Sequence, residues 1–386
     1  MRKRAAALFL CFALTLTGCG SGSIYSTFRA VEQMLVIHTI GIDKTPDGLE
    51  LTIAAGKSGE GELVRMKAAG PTISAARDRL EDYASDEDLF FSHTNYFVLG
   101  KSALCSGVEP YLNYLERSAE LRLDVPVFAM ADGDAGELVL RGGNDKYSVT
   151  EALSSLERVL TLRGDGHVFT ASEIAQSLSN YGAALVCAIK RAQAGSGVES
   201  AGREELTALP AGYIILKDGA QAGSIAQTDA RGVNLLLGYT GSGSIELDWE
   251  TYTACVIMDR TKTCIEPVWN DGGALTGITV DITVRAELGE QKEPHAASPA
   301  YLAGLEASLE REAGEWVNHV LAASKALSAD FLGIGGILER KSPEKFRAMG
   351  RDFAALLPEL DFQVTVSAKI SGSYYLSGPD DMEGGG

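Results

Sequence analysis

Apolar and polar positions in the first half of the chain alternate between the two-residue period of strands and the 3.6-residue period of helices. Residues 34–40 and 49–56 are predicted strands, and Pro46-Asp47-Gly48 between them is typical of a tight turn. Residues 72–85 have helical spacing instead. The predicted buried face of this helix holds Ile73, Ala76, Leu80 and Tyr83.

The same interleaving of strands and helices continues to residue 190. Further strands are predicted at 90–100 and 124–131, and further helices at 110–122, 134–141 and 171–182. Because the elements interleave without an internal repeat, we predict an α+β fold with mixed and antiparallel sheets and packed helices. We expect an N-terminal region at 19–190, with a subdomain boundary near 100–135, within an elongated body of three domains.

The second half begins after a polar segment, 191–205, which is rich in glycine and serine and is predicted to be a linker. A β-rich series follows, with a hairpin turn at Asp218-Gly219. Ser298 and Pro299 then predict the N-cap and first turn of a long amphipathic helix at 299–328. We expect this helix to lie on the sheet of a C-terminal α+β domain at 206–376, followed by a disordered tail at 377–386.

The amino terminus has the pattern of an export signal. Three basic residues precede an apolar run at 5–16, which is shorter than the roughly 18–20 residues that span a bilayer. Leu16-Thr17-Gly18-Cys19 resembles a bacterial lipobox, in which the cysteine sulfur receives a diacylglycerol before cleavage. We therefore predict a lipoprotein signal peptide at 1–18 and lipid attachment at Cys19. The alternative is an ordinary secretory signal that ends beside a cysteine by chance.

Charge restricts how the mature chain can meet a membrane. Without the three basic residues of the leader, 31 basic residues face 52 acidic ones, a net charge near −21. An anionic bilayer surface repels such a chain, so the predicted anchor is the lipid, since two acyl chains hold a protein stably. The same charge argues against nucleic acid as a partner. No later apolar run approaches 18 residues, so no transmembrane helix is predicted.

The sequence contains no motif of a catalytic or metal site. No GxSxG elbow is present, and the glycines at 333–336 follow a predicted helix rather than a strand. The five histidines are scattered and no cysteine pair has CxxC spacing. We therefore predict no enzymatic activity, no metal and no cofactor.

Cys255 and Cys264 flank the sequence VIMDRTKT, which predicts two short strands around a turn at Asp259-Arg260. Positions symmetric about such a turn face each other. In an exported protein the two thiols could be oxidised to a disulfide, because the environment outside the cytoplasm is oxidising. Antiparallel neighbours, however, often fail disulfide geometry. A cross-strand disulfide and a pair of free thiols therefore both remain open.

Several stretches, in their order along the chain, resemble the C subunit of bacterial spore germinant receptors, the Ger(x)C lipoprotein family. They are LTGC, LVIHTIGID, FSHTNYFVLGKSAL, YLNYLERSAELRLDVPVFAMADGDAGELV, AGYIILKDGAQAG, DARGVNLLLG and ADFLGIGGILERKSPEKFRAM. The chain departs from the family at Gly20-Ser21-Gly22, where the family usually has a tryptophan and charged residues, and in its acidic tail.

The resemblance implies an extracytoplasmic lipoprotein of three mixed α/β domains on the outer leaflet of the spore inner membrane. It implies no enzymatic activity, and as partners the integral-membrane A and B subunits, with which the protein would convert nutrient sensing into germination. The family's germinant site is attributed to the membrane subunits, so none is predicted here. The family motifs suggest partner contacts at Gly41, Asp43, Asp330, Gly333 and Gly335.

A solute-binding lipoprotein of a transporter is the alternative function. Such a protein needs two similar lobes around a cleft, joined by a hinge that the chain crosses several times. One clear linker and a β-rich second half fit that architecture poorly. A secreted hydrolase is disfavoured by the missing nucleophile motifs.

Overall fold

The computed structural model describes residues 34–57, 61–84, 87–142, 148–193, 206–292, 298–350 and 352–371. The predicted signal peptide, the predicted lipid-attachment residue Cys19 and the predicted tail at 377–386 lie outside these ranges. Within them, the strands form one nine-stranded sheet and one four-stranded sheet. The fold is α+β with mixed sheets, as predicted.

Thirteen strands and eleven helices are found in the described residues. The strands are β1 (Met34–Thr45), β2 (Gly48–Lys57), β3 (Gly61–Gly70), β4 (Asp88–Phe90), β5 (Tyr96–Leu99), β6 (Val127–Met130), β7 (Ala183–Gln193), β8 (Leu206–Lys217), β9 (Ala220–Ile225), β10 (Ser244–Trp249), β11 (Tyr252–Trp269), β12 (Leu275–Gln291) and β13 (Asp361–Ser371). The helices are α1 (Ile73–Ala84), α2 (Lys101–Ser106), α3 (Glu109–Arg117), α4 (Ala135–Arg141), α5 (Val149–Arg163), α6 (Ala171–Tyr181), α7 (Ala230–Leu237), α8 (Pro299–Leu327), α9 (Ile334–Lys341), α10 (Pro343–Met349) and α11 (Phe353–Leu356).

The larger sheet has the order β3-β2-β1-β5-β6-β7-β8-β9, and β4 also pairs with β1. Its centre is parallel, whereas β2, β3, β8 and β9 are antiparallel to their neighbours. Every residue of β5 and β6 is buried, as expected for parallel strands covered on both faces. Thr45 pairs with Gly48, which confirms the predicted turn at Pro46-Asp47.

Helices cover both faces of this sheet. Helices α1, α2, α3 and α6 pack on one face in a single hydrophobic cluster, and α4 and α5 pack on the other. Ile73, Ala76 and Leu80 of α1 are buried as predicted. Tyr83, predicted on the same face, is 60% exposed instead, because the face that packs on the sheet continues through Leu80 to Ala84.

Two predicted boundaries do not separate sheets. Strand β5 ends just before the proposed division near 100–135 and β6 lies within it, yet the two strands are parallel neighbours in one sheet. Residues 194–205 of the predicted linker lie outside the described ranges, but the strands that flank them, β7 and β8, pair at eleven positions. The change from the larger to the smaller sheet falls between Ile225 and Ser244.

The smaller sheet has the order β10-β11-β12-β13, with β13 parallel to β12. Helix α8 packs on its inner face, and their shared hydrophobic cluster also includes Leu185 of β7 and Tyr213 of β8. The two sheets therefore share a core. The predicted helix at 299–328 is confirmed as Pro299–Leu327, and the Oγ of its N-cap Ser298 accepts a hydrogen bond from the N–H of Tyr301 at 3.2 Å.

Acidic side chains of α8 cover the outer edge of β13. Glu310 accepts a hydrogen bond from the N–H of Ala368 at 2.9 Å, and Glu306 accepts one from the N–H of Ile370 at 3.0 Å. The two glutamates are four residues apart, a rise of about 6 Å along a helix, and their two backbone partners are two residues apart, about 6.6 Å along a strand. The spacing of the carboxylates therefore matches that of the N–H groups. Glu306 also pairs with Lys369 at 3.0 Å. Helix α8 thus protects an edge that could otherwise pair with another chain.

Replacing both Glu306 and Glu310 with alanine should expose this edge. We expect the free energy of unfolding to fall by about 1–2 kcal/mol, because two backbone hydrogen bonds lose their acceptors, and self-association to appear on concentration. Urea denaturation and analytical ultracentrifugation measure the two effects. Glu315→Ala, at an exposed position of the same helix, is the matched control; equal behaviour of control and double variant would contradict this role.

Candidate functional site

The predicted partner contacts fall in two places in the structure, and both charged residues among them are buried. Asp43 is 5% exposed near the end of β1, and Asp330 is 2% exposed just after α8. A buried carboxylate needs hydrogen bonds to offset its desolvation. The partners of each aspartate therefore show what it does.

Asp43 holds the start of helix α4. Its Oδ1 accepts a hydrogen bond from the N–H of Ala135 at 2.8 Å, and its Oδ2 accepts one from the N–H of Gly136 at 2.7 Å. These are two of the N–H groups that a helix leaves without an internal partner. Burial raises the pKa of the Asp43 carboxyl, and the two backbone hydrogen bonds oppose that rise. Asp43 is thus a tertiary cap that joins β1 to α4.

Two glycines make room for this cap. A Cβ at Gly100 would overlap Oδ1 of Asp43. A Cβ at Gly41 would lie 3.0 Å from Cγ2 of Val139 in α4. Gly41 therefore allows β1 and α4 to approach closely.

Asp330 has the same role at helix α9. Its Oδ1 accepts a hydrogen bond from the N–H of Ile334, and its Oδ2 accepts one from the N–H of Gly335, both at 2.8 Å. Burial raises the pKa of the Asp330 carboxyl from 3.8 to about 6, although the backbone hydrogen bonds oppose that rise. Each half of the chain thus uses a buried aspartate to fix a helix start.

The glycines that follow Asp330 pack against the N-terminal region and against their own segment. Gly333 has a φ of +66°, and a Cβ there would lie 3.1 Å from the ring of Tyr181, at the end of α6. A Cβ at Gly336 would overlap the hydroxyl of the same tyrosine. Gly335 packs against Phe353, since a Cβ added to it would lie 2.9 Å from that ring. The segment is a close-packed joint between the two regions.

Partner contacts at these residues stay a prediction from the family motifs. The carboxylates of Asp43 and Asp330 themselves face helix starts inside the protein. Gly41, Gly333 and Gly335 contact their own chain.

A buried tyrosine that the sequence did not single out joins three elements. The hydroxyl of Tyr213, in β8, donates to Oδ1 of Asn234 in α7 and accepts from the N–H of His167, both at 2.7 Å. His167 precedes α6, and its ring stacks on Tyr239 with centroids 3.9 Å apart. Burial lowers the pKa of His167. The tyrosine lies in the stretch AGYIILKDGAQAG, so its position there was the available signal.

The disulfide alternative for Cys255 and Cys264 is wrong in this structure, where both are free thiols. They lie on one continuous strand, β11, and the predicted turn at Asp259-Arg260 is a β-bulge opposite β12. Nine residues of strand span about 30 Å, whereas bonded cysteines have Cα atoms within about 7 Å. The polar residues mistaken for a turn lie on the exposed part of a long strand.

Two pockets flank helix α3. One, of about 620 Å³, lies between α3, the start of α1 and the end of β1; the other, of about 630 Å³, lies between α3, α6 and the β8–β9 turn. Within the described ranges, no group of three histidine, cysteine or acidic side chains is arranged to hold a metal ion. No helix of the same residues combines the length and hydropathy needed to cross a bilayer.

The fold and the motif residues together define an α+β protein in which two buried aspartates, Asp43 and Asp330, cap the starts of helices. Residues 28–190 match the spore germination protein N-terminal domain, and residues 211–374 match the spore germination B3/GerAC-like C-terminal domain. The chain therefore belongs to the Ger(x)C family of spore germination proteins, which confirms the resemblance seen in its motifs.

Individual relatives agree over nearly the full length. The chain is 25% identical over 395 residues to spore germination protein KC of Bacillus subtilis strain 168, an alignment that covers 95% of this chain and 94% of the relative. It superposes on the crystal structure of the GerBC protein with a TM-score of 0.57 and 18% identity, covering 86% of this chain and 96% of that one. The structural match supports a common fold.

Proposed function

We propose that this chain is the lipid-anchored C subunit of a germinant receptor and acts in spore germination without catalysis. The observation that carries the proposal is a lipobox ending at Cys19, nine residues before the first matched family domain begins at residue 28. Its partners would be the integral-membrane A and B subunits of the receptor. Its place would be the outer leaflet of the spore inner membrane.

Tether length and charge support the anchoring part of the proposal. The chain from Cys19 to Met34 can extend at most about 50 Å, which would keep the folded body close to the bilayer. The strongly acidic mature chain gains nothing from an anionic surface, so the two acyl chains would supply the attachment.

The transporter alternative is less well supported. A solute-binding lipoprotein needs two similar lobes, whereas the described residues form a nine-stranded and a four-stranded sheet of different topology. Part of the larger sheet also packs into the hydrophobic core of the smaller sheet, which differs from two lobes on either side of a cleft.

Replacing Cys19 with alanine should release the chain from the membrane. We expect the variant to leave the membrane fraction and the spores to lose the germination response that depends on this receptor, because no acyl chains are attached. Membrane fractionation, mass spectrometry of the amino terminus and a germination assay measure these results. Cys105→Ala, at an exposed free thiol, should change none of them. Full membrane retention and normal germination of the Cys19 variant would contradict the proposal.

The receptor part of the proposal has its own test. Purification of the tagged chain from detergent-solubilised spore membranes should recover two multi-spanning proteins encoded beside it. Recovery of an ATPase-linked permease instead would favour the transporter alternative. Recovery of neither would remove the receptor assignment and leave the lipid anchor to be judged by the cysteine variant alone.

A further inference from the structure

The 620 Å³ pocket beside α3 has the size of a small-molecule site. Leu49 and Ile73, which are 6% and 8% exposed, form apolar walls. The ring of Tyr111, 4% exposed, forms another. A ligand here would therefore bury an apolar or aromatic body against a preformed surface.

The charged residues of this pocket are all cations. Lys44 and Arg117 line it, and none of its described lining residues is aspartate or glutamate, in a chain with 52 acidic residues. Both side chains are exposed, and neither pairs with a carboxylate of another described residue. The two cations are therefore available to an incoming anion.

Helix α3 separates this pocket from one of opposite charge. The pocket on the other side of α3 is lined by Glu109, Glu116 and Asp218, and its described lining residues include no lysine or arginine. A pocket lined by one sign of charge concentrates ligands of the other sign. The segregation across a single helix gives each pocket a distinct electrostatic character.

The start of helix α1 adds to the positive potential of the cationic pocket. This twelve-residue helix begins at Ile73, in the pocket wall, and its first turn contains no acidic residue. Aligned peptide dipoles place a partial positive charge at such a start. The hydroxyls of Thr72 and Ser74 lie in the same wall and can donate hydrogen bonds.

We propose that this pocket binds a small organic anion, a function beyond membrane anchoring and receptor assembly. A carboxylate or phosphate group is held by Lys44 and Arg117 at the start of α1. The apolar or aromatic body of the ligand packs against Leu49, Ile73 and Tyr111.

Calorimetric titration of the purified lipidated chain in a neutral detergent tests the site. The probe is 2-naphthyl phosphate, the uncharged comparator is 2-naphthol, and titrations into detergent alone are subtracted. We expect saturable binding of the phosphate with 1:1 stoichiometry and weaker binding of the naphthol. The Lys44→Ala/Arg117→Ala variant should weaken phosphate binding about tenfold or more, because two charge-assisted contacts are lost.

Two single variants separate the pocket from general charge effects. Lys262→Ala removes an exposed cation from the smaller sheet, and Glu116→Gln removes an acid from the opposite pocket. Both should keep the dissociation constant for 2-naphthyl phosphate within about twofold of the unmodified chain. Circular dichroism verifies that every variant is folded. The proposal would be overturned if 2-naphthyl phosphate did not bind saturably or if the Lys44→Ala/Arg117→Ala variant bound it as tightly as the unmodified chain. It would also be overturned if Lys262→Ala lost as much affinity as the double variant.

Discussion

Asp43→Ala should lower the free energy of unfolding of the N-terminal region by about 2–4 kcal/mol. The substitution leaves the N–H groups of Ala135 and Gly136 without the carboxylate that accepts both hydrogen bonds. Each hydrogen bond to a charged group contributes roughly 1.5–3 kcal/mol, and relief of the buried charge offsets part of that loss. In Asp43→Asn the amide oxygen can still accept one of these hydrogen bonds, but the amide NH₂ would face the other backbone N–H. We therefore expect this variant also to have a lower free energy of unfolding.

Two spectroscopic probes locate this effect. All three tryptophans lie in the second half of the chain, at Trp249, Trp269 and Trp316, so their fluorescence follows the smaller sheet. Far-ultraviolet circular dichroism follows both sheets. Asp281→Ala, at an exposed position of β12, is the control. If circular dichroism gave the same urea midpoint for Asp43→Ala as for the control, the Asp43 cap would contribute no stability.

The stability of the chain should fall with rising pH through the titration of Asp330. Its folded-state pKa of about 6 lies above the ordinary value of 3.8, so the folded state binds the proton more tightly than the unfolded state. The stabilising contribution is complete below about pH 3.8 and is lost as the pH rises through about 6. We expect the contribution to fall by about 2 kcal/mol between about pH 4.5 and pH 7.

The measurement compares unfolding free energies of the unmodified chain and Asp330→Asn across this pH range. Burial also raises the pKa of Asp43, Asp165 and Glu312, and these groups titrate in both proteins. The difference between the two curves therefore isolates Asp330. A difference that stays constant with pH would be incompatible with a raised pKa at this carboxyl.

The long helix of the second half could be predicted from local signals alone. Ser298 and Pro299 fix its start, and its apolar positions recur at helical spacing to Leu327. Helix α5 was not predicted, although Ser148 and Glu151 form a capping box at its start, which was an available signal. The capping residues therefore indicated a helix that the spacing of apolar residues alone did not predict.

The β11 strand shows where local signals mislead. A polar run beginning at Asp259 has the composition of a turn, but its residues lie on the exposed part of an 18-residue strand paired with β12. Whether such a run is a turn or a strand surface depends on pairing partners far along the chain. The sequence pattern alone contains no information on that pairing.

The motif residues could be found from the sequence, but their role could not. An aspartate that follows the apolar positions of a predicted strand, as Asp43 does, marks a special position. Its partners Ala135 and Gly136 are more than 90 residues away, so only the folded chain shows that the carboxylate caps a helix. A similarity of motifs within a family is therefore as compatible with internal architecture as with partner contacts.

The pairing of β7 with β8 constrains which hybrids of this chain with a related protein could fold. The first matched domain ends at residue 190 and the second begins at residue 211. The paired residues of β7 and β8 extend beyond both limits, from Ala183 with Lys217 to Gln193 with Leu206. A crossover between homologous genes in that interval would join a β7 from one parent to a β8 from the other. The hybrid would fold only where both parents encode compatible strand register and side-chain packing, so the two halves are expected to be inherited together.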